Sequence, residues 1–109
     1  MSHIVELNAP QFARFVAKGS SVVLFSASWC KPCQEMKPVF HALEEKLHSS
    51  AVFGKIDVAV SPTIAQMYGI RAVPSLAVFH QSRLLRVMPG SRSVSILKKV
   101  ILAELEEAR

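Results

Sequence analysis

Val22-Val23-Leu24-Phe25 leads through Ser26-Ala27-Ser28 into Trp29-Cys30-Lys31-Pro32-Cys33, and how this stretch folds decides how the rest of the chain is read. The first four residues are β-branched or apolar enough to make a buried strand. Pro32 suits the first turn of a following helix, where a missing N–H leaves nothing unpaired. Two residues between cysteines let their sulfurs meet across such a turn and exchange a disulfide with little backbone movement. Unpaired N–H groups and the positive end of the helix dipole favour a thiolate at Cys30. The order strand, Cys-x-x-Cys, helix points to redox chemistry.

Two blander uses of the cysteines fit less well. A structural crosslink over so short a loop removes little entropy from the unfolded chain. A zinc site normally takes four protein ligands, and neither a second Cys-x-x-Cys nor a His-x3-5-His pair is present. His3, His41, His48 and His80 are scattered, so no metal is expected.

The chain has 109 residues, which is expected to make one domain spanning 1–109. Half of the residues are apolar, enough for one packed core. The apolar stretches are too short to span a membrane. Met1-Ser2-His3-Ile4-Val5-Glu6 lacks the basic start and apolar core of a leader, so a cytoplasmic protein is expected. In that compartment a Cys-x-x-Cys is more often catalytic than structural. The net charge is +5, with Arg71, Arg83, Arg86, Arg92, Lys98 and Lys99 and no acidic residue between Val58 and Ala103. A nucleic-acid surface would interleave such charges with aromatics on one face, and this segment does not. Acidic protein partners are the better use of the charge.

Residues 3–7 are predicted as a first strand. Asn8 then caps a helix with Pro10 in its first turn and Phe12, Phe15 and Val16 on one face. A second strand covers 21–27. A helix from about Pro32 to His48 follows, placing Met36, Val39, Phe40, Leu43 and Leu47 on one side. Cys33 shares that buried side, whereas Cys30 precedes the helix and is expected at its exposed tip. Residues 51–58 form a third strand, and Ser61-Pro62 opens a short helix that Gly69 stops. Strands at 75–80 and 84–88 make a hairpin around Gln81-Ser82-Arg83. Ser93 caps a last helix whose Val94, Leu97, Val100, Ile101 and Leu105 face inward. Strand–helix alternation followed by a hairpin predicts an α/β fold with a mixed sheet covered on both faces.

Ser28-Trp29-Cys30-Lys31-Pro32-Cys33, Pro38, Lys55-Ile56-Asp57, Tyr68-Gly69-Ile70-Arg71-Ala72-Val73-Pro74-Ser75 and Gly90 resemble, in order and spacing, the landmarks of the thioredoxin family. The likeness runs nearly the whole length. It implies the thioredoxin fold, a central mixed five-stranded sheet with two helices on each face, with Pro38 kinking the second helix. It implies a protein dithiol–disulfide oxidoreductase with Cys30 as attacking thiolate and Cys33 as resolving thiol. Trp29 would be a lid packed beside them, with Lys31, Pro32 and Lys55 in support. Val73-Pro74, with Pro74 cis, would present backbone to an extended substrate strand. Val58, Ala72, Val73, Pro89 and Gly90 would form an apolar collar. The expected partners are protein disulfides and a reductase flavoenzyme of the thioredoxin-reductase type. The protein would act as a monomer, with no bound cofactor and no contact with nucleic acid or membrane. An oxidase or isomerase of an oxidising compartment, or a binding module or co-chaperone with lapsed redox chemistry, are the alternatives.

Two positions depart from the family pattern. Leu24 stands where the family usually has a buried aspartate, thought to exchange the proton of the resolving thiol. Deprotonation of Cys33 is then left to water, Lys55 or Glu35. Lys31 replaces the usual glycine. A cation about 6 Å from the sulfur, at an effective dielectric of ~40–80, stabilises a thiolate by roughly 0.7–1.4 kcal/mol.

Overall fold

A computed structural model describes residues 3–109; Met1 and Ser2, at the head of the segment read above for a leader, lie outside the described residues. The elements run β1 (Ile4–Leu7), α1 (Ala9–Ala17), β2 (Ser20–Ser26), α2 (Lys31–Leu47) and β3 (Val52–Asp57). They continue with α3 (Pro62–Met67), β4 (Ser75–His80), β5 (Arg83–Pro89) and α4 (Val94–Ala108). The sheet order is β1-β3-β2-β4-β5. β1, β3 and β2 are parallel, β4 is antiparallel to β2, and β5 is antiparallel to β4.

Strand alternation sorts the core into two layers. Val22 and Leu24 of β2 pack under α2 and α4 against Met36, Phe40, Leu97 and Ile101. Val23 and Phe25 pack on the other face under α1 and α3, against Phe12, Val16, Ile64 and Ala65. The mixed five-stranded sheet with two helices on each face is thus as expected. Gly54 of β3 faces the α1 side, where a Cβ would come within 2.8 Å of Leu7 Cδ1 and 3.0 Å of the Phe15 ring. A bare backbone there lets α1 sit close to the sheet.

Local chemistry sets the ends of the elements. Asn8 and Gln11 form a reciprocal capping box, at 3.0 and 3.3 Å, that starts α1. Ser93 Oγ accepts from the Ile96 N–H at 3.3 Å and starts α4. Ser61 occupies the cap position of α3 but makes no side-chain capping bond; its N–H donates instead to the Asp57 carbonyl at 2.9 Å. α2 begins one residue before the expected Pro32, because Cys30 is itself the cap. It runs through Pro38, which has no N–H to offer the Gln34 carbonyl. β5 extends to Pro89, tolerated because β5 is an edge strand. Gln81 and Ser82 both have positive φ, 48° and 72°, which matches a tight turn to the twist of the β4–β5 hairpin.

Two buried side-chain oxygens, Ser21 Oγ and Glu44 Oε1, lack a hydrogen-bond partner among the described residues. Glu44 of α2 is only 2% exposed. A buried polar oxygen without a compensating bond is destabilising. Glu44→Met keeps an unbranched side chain of similar length and removes the oxygens. The variant is expected to gain ~1–3 kcal/mol of stability, read as a rise of several degrees in Tm. An unchanged or lower Tm would show that Glu44 is satisfied in solution.

Candidate active site

The end of β2 and the start of α2 are joined by a turn of four residues, Ala27 to Cys30, closed by the Cys30 N–H donating to the Ala27 carbonyl at 3.2 Å. Gln34 braces this turn from within the helix, its Nε2 donating to the Ser28 carbonyl at 3.2 Å. Cys30 has extended backbone and caps α2, with Lys31 and Pro32 in the first turn. Its Sγ accepts the Cys33 N–H at 3.2 Å, one of the donors a helix start leaves unpaired. Cys30 and Cys33 are joined in a disulfide, their Cα atoms 5.2 Å apart.

The sulfur pair sits on Ala27, with Val58 and Val73 packed against it. This corrects the expected exposed tip: Cys30 is 6% exposed and Cys33 1%. The cap geometry turns the Cys30 sulfur inward toward the helix N–H groups, and Val73 covers part of what remains. Cys30 is still the more open of the two. Trp29 also departs from expectation. It is 72% exposed and stands in solvent instead of lying packed as a lid. Lys31 and Pro32 are exposed beside it.

The segment before β4 closes the site from the other side. Cys30 Sγ lies 3.7 Å from the Val73 carbonyl oxygen, and the Val73–Pro74 bond is cis. Ser75 Oγ donates to the Ala72 carbonyl at 2.6 Å, and the Gly90 N–H donates to the Pro74 carbonyl at 2.8 Å. Gly90 makes that bond with φ at +85°, a conformation that favours glycine. Pro89 pairs with Ser75 across the β4–β5 ladder. Of the expected collar, Val58 and Val73 pack on the sulfur pair and are half-buried. Pro89 and Gly90 are joined to the buried Pro74 and to Ser75, and Ala72, Pro89 and Gly90 are exposed.

Lys55 lies behind the disulfide. Its Nζ pairs with Glu6 Oε1 at 3.1 Å, and its neighbour across β2 is Leu24, which is fully in the core. Lys55 and Cys33 line one cleft of about 210 Å³ together with Glu6, Lys37 and Asp57. Glu35 is exposed and does not line it, so it is set aside as a proton acceptor for Cys33. Sequence reasoning assigned no role to Glu6, Gln34, Asp57 or Ser75. For Asp57 a signal existed, since it lies two residues after Lys55 on one strand and so shares its face. Among the described residues, no three His, Cys, Asp or Glu side chains are grouped to hold a metal ion, and no helix is long and apolar enough to cross a membrane.

The Thioredoxin family model matches residues 3–103. The chain belongs to the thioredoxin family. Thioredoxin from Buchnera aphidicola of Acyrthosiphon pisum is 30% identical over 103 residues, covering 93% of this chain and 95% of that protein. A second thioredoxin, from Buchnera aphidicola of Schizaphis graminum, is 32% identical over 100 residues, covering 90% and 93%. Among solved structures, a mutant thioredoxin from Halobacterium salinarum aligns with a TM-score of 0.86 at 27% identity, over 96% of this chain and 95% of that one. Malassezia sympodialis thioredoxin aligns with a TM-score of 0.84 at 28% identity, over 96% and 93%. With the thioredoxin fold and a joined Cys30–Cys33 pair, the chain is a thiol–disulfide oxidoreductase.

Within this thioredoxin site the exposed Lys31 is the cation nearest in sequence to the sulfur of Cys30. A cation near a sulfur favours its thiolate and so the reduced form. Titration against glutathione is expected to find Lys31→Gln more reducing than the wild type by ~15–30 mV. Equal potentials would mean that solvent screens the charge completely.

Proposed function

We propose that this protein reduces disulfides of other proteins by a two-cysteine exchange in which Cys30 attacks and Cys33 resolves. The observation that carries the assignment is the Cys33 N–H directed at Cys30 Sγ at the cap of α2. In the reduced protein that donor and the helix dipole both stabilise negative charge on Cys30, and neither favours it on Cys33 in the same way. Cys30 is also the more open sulfur. The Cys30 thiolate attacks a substrate disulfide and forms a mixed disulfide, releasing one substrate sulfur. Cys33 then attacks Cys30 and frees the second.

Substrate is held as an extended segment along Ala72-Val73-Pro74, with main-chain groups supplying affinity and the apolar collar of Val58, Val73, Pro89 and Gly90 supplying fit. The exposed Trp29 indole forms the opposite wall. Its apolar area is available to a partner because it is not spent on the protein's own core. Pro32 holds the first turn of α2, and Lys55 lies behind the resolving thiol. The 109 residues act as one domain and one monomer.

The oxidised pair is returned to the dithiol by a flavoenzyme of the thioredoxin-reductase type. A reductant of protein disulfides works where thiols are kept reduced, and we assign it to the cytoplasm. The rival oxidase, isomerase and redox-inactive readings are less well supported by the family and the intact pair.

Insulin precipitation in the presence of dithiothreitol tests the reading. The wild type should accelerate it and Cys30→Ser should fall to the uncatalysed rate; Cys33→Ala, reduced and then freed of dithiothreitol, should accumulate a mixed disulfide with insulin visible by mass spectrometry. Full activity in Cys30→Ser would refute the assignment.

A further inference from the structure

Resolution requires Cys33 to lose a proton, and the packing around it restricts where that proton can go. Cys33 clusters with Cys30 and Ala27, and Val58 and Val73 pack against that cluster; no apolar member of it accepts a proton. Leu24, the β2 residue opposite Lys55, offers no acceptor either. Cys33 also lines the cleft between β1, β3 and the first turns of α2. At about 210 Å³ this cleft admits several water molecules.

Two carboxylates line the cleft, and the structure separates them. Glu6 stands opposite Lys55 in the sheet, is largely exposed, and is committed to the Lys55 ammonium at 3.1 Å. Asp57 stands opposite Ser26, next to Ala27 on which Cys33 packs, and directly before Val58, which packs on the sulfur pair. It shares the α2-facing side of β3 with Lys55. The Ala59 N–H donates to Asp57 Oδ1 at 2.8 Å, which fixes the carboxyl and leaves its second oxygen for water. Lys55 of β3, Lys37 of α2 and Glu6 of β1 are the charged groups that share the cleft with Asp57, and Cys33 is the other titratable group there.

We propose that Asp57 receives the Cys33 proton through water in this cleft, taking the place of an acceptor at position 24. The inference rests on the two-cysteine exchange above. In the mixed disulfide the Cys33 S–H bond breaks and its proton passes by way of water to the Asp57 carboxylate. The Cys33 thiolate attacks Cys30 Sγ, forming the Cys30–Cys33 bond as the bond from Cys30 to substrate breaks. The departing substrate thiolate takes up a proton. Over the cycle the substrate disulfide gains two electrons and the Cys30–Cys33 dithiol loses them.

Asp57→Asn isolates this role, because the amide oxygen can still accept the Ala59 N–H while the ionisable group is gone. The reduced protein is mixed with 5,5′-dithiobis(2-nitrobenzoate) in a stopped-flow instrument. The first release of thionitrobenzoate reports attack by Cys30 and the second reports resolution by Cys33. In Asp57→Asn the first release should keep its rate. The second should slow about tenfold near neutral pH, less than the ~10²–10⁴ typical of a directly positioned base, because water intervenes. The two proteins should converge at alkaline pH, where the thiol ionises unaided, and Asp57→Glu should recover part of the lost rate. A second release in Asp57→Asn with the wild-type rate and pH profile would overturn the proposal. Equal slowing of both releases with a lowered Tm would also overturn it, by showing a structural role. A wild type with no second release would instead overturn the two-cysteine exchange itself.

Discussion

Burial of β2 from both sides is the constraint that holds the two sulfurs in place. Val22 and Leu24 are covered by α2 and α4, and Val23 and Phe25 by α1 and α3. Each such side chain contributes roughly 1.5–3 kcal/mol by leaving water. The strand therefore cannot slip by one residue without reversing both layers. β2 ends in the turn that starts α2, and α2 is pinned by Met36, Phe40 and Leu43 to the same sheet face. The helix start and its cap residue are thus fixed relative to the sheet before any chemistry at the cysteines is considered. From the opposite direction, pairing of β4 with β2 delivers the 72–74 segment to the same place.

Within that frame the two cysteines differ because one is a cap and the other is a helical residue. The cap sulfur receives a backbone N–H that the helix cannot satisfy internally, and the helical sulfur faces the core. The difference in their exposure is small, 6% against 1%. It is the direction of the hydrogen bond that makes them chemically unequal.

Leu24 leaves the sheet face beneath α2 without a titratable group in β2. An apolar residue beneath α2 strengthens the core layer that Phe40 and Leu76 build, but it takes away a titratable group next to the resolving thiol. The polar cleft along Glu6, Lys55 and Asp57 lies one strand further out, where the sheet is open to solvent. β2 is thereby given over to core packing, while β3 contributes Phe53 and Ile56 to the core and Lys55 and Asp57 to the cleft.

Nearly every element could be recognised along the chain, because periodicity, caps and turn residues are local: Asn8 with Pro10, the 3.6-residue apolar repeat after Cys33, and Ser93 before the last helix. The cysteine pair and the landmarks around Pro74 and Gly90 were equally readable, since short motifs carry their own spacing. Inward rotation of the Cys30 sulfur and the freestanding Trp29 were not, for both depend on what Val73 and Val58 cover from distant parts of the chain. The same holds for the grouping of Cys33 with Asp57, which strand register across β2 and β3 creates. Local sequence governs what each segment becomes, since its backbone hydrogen bonds close within a few residues. Which side chains meet is decided only when the sheet assembles, because residues far apart in the chain then share one face.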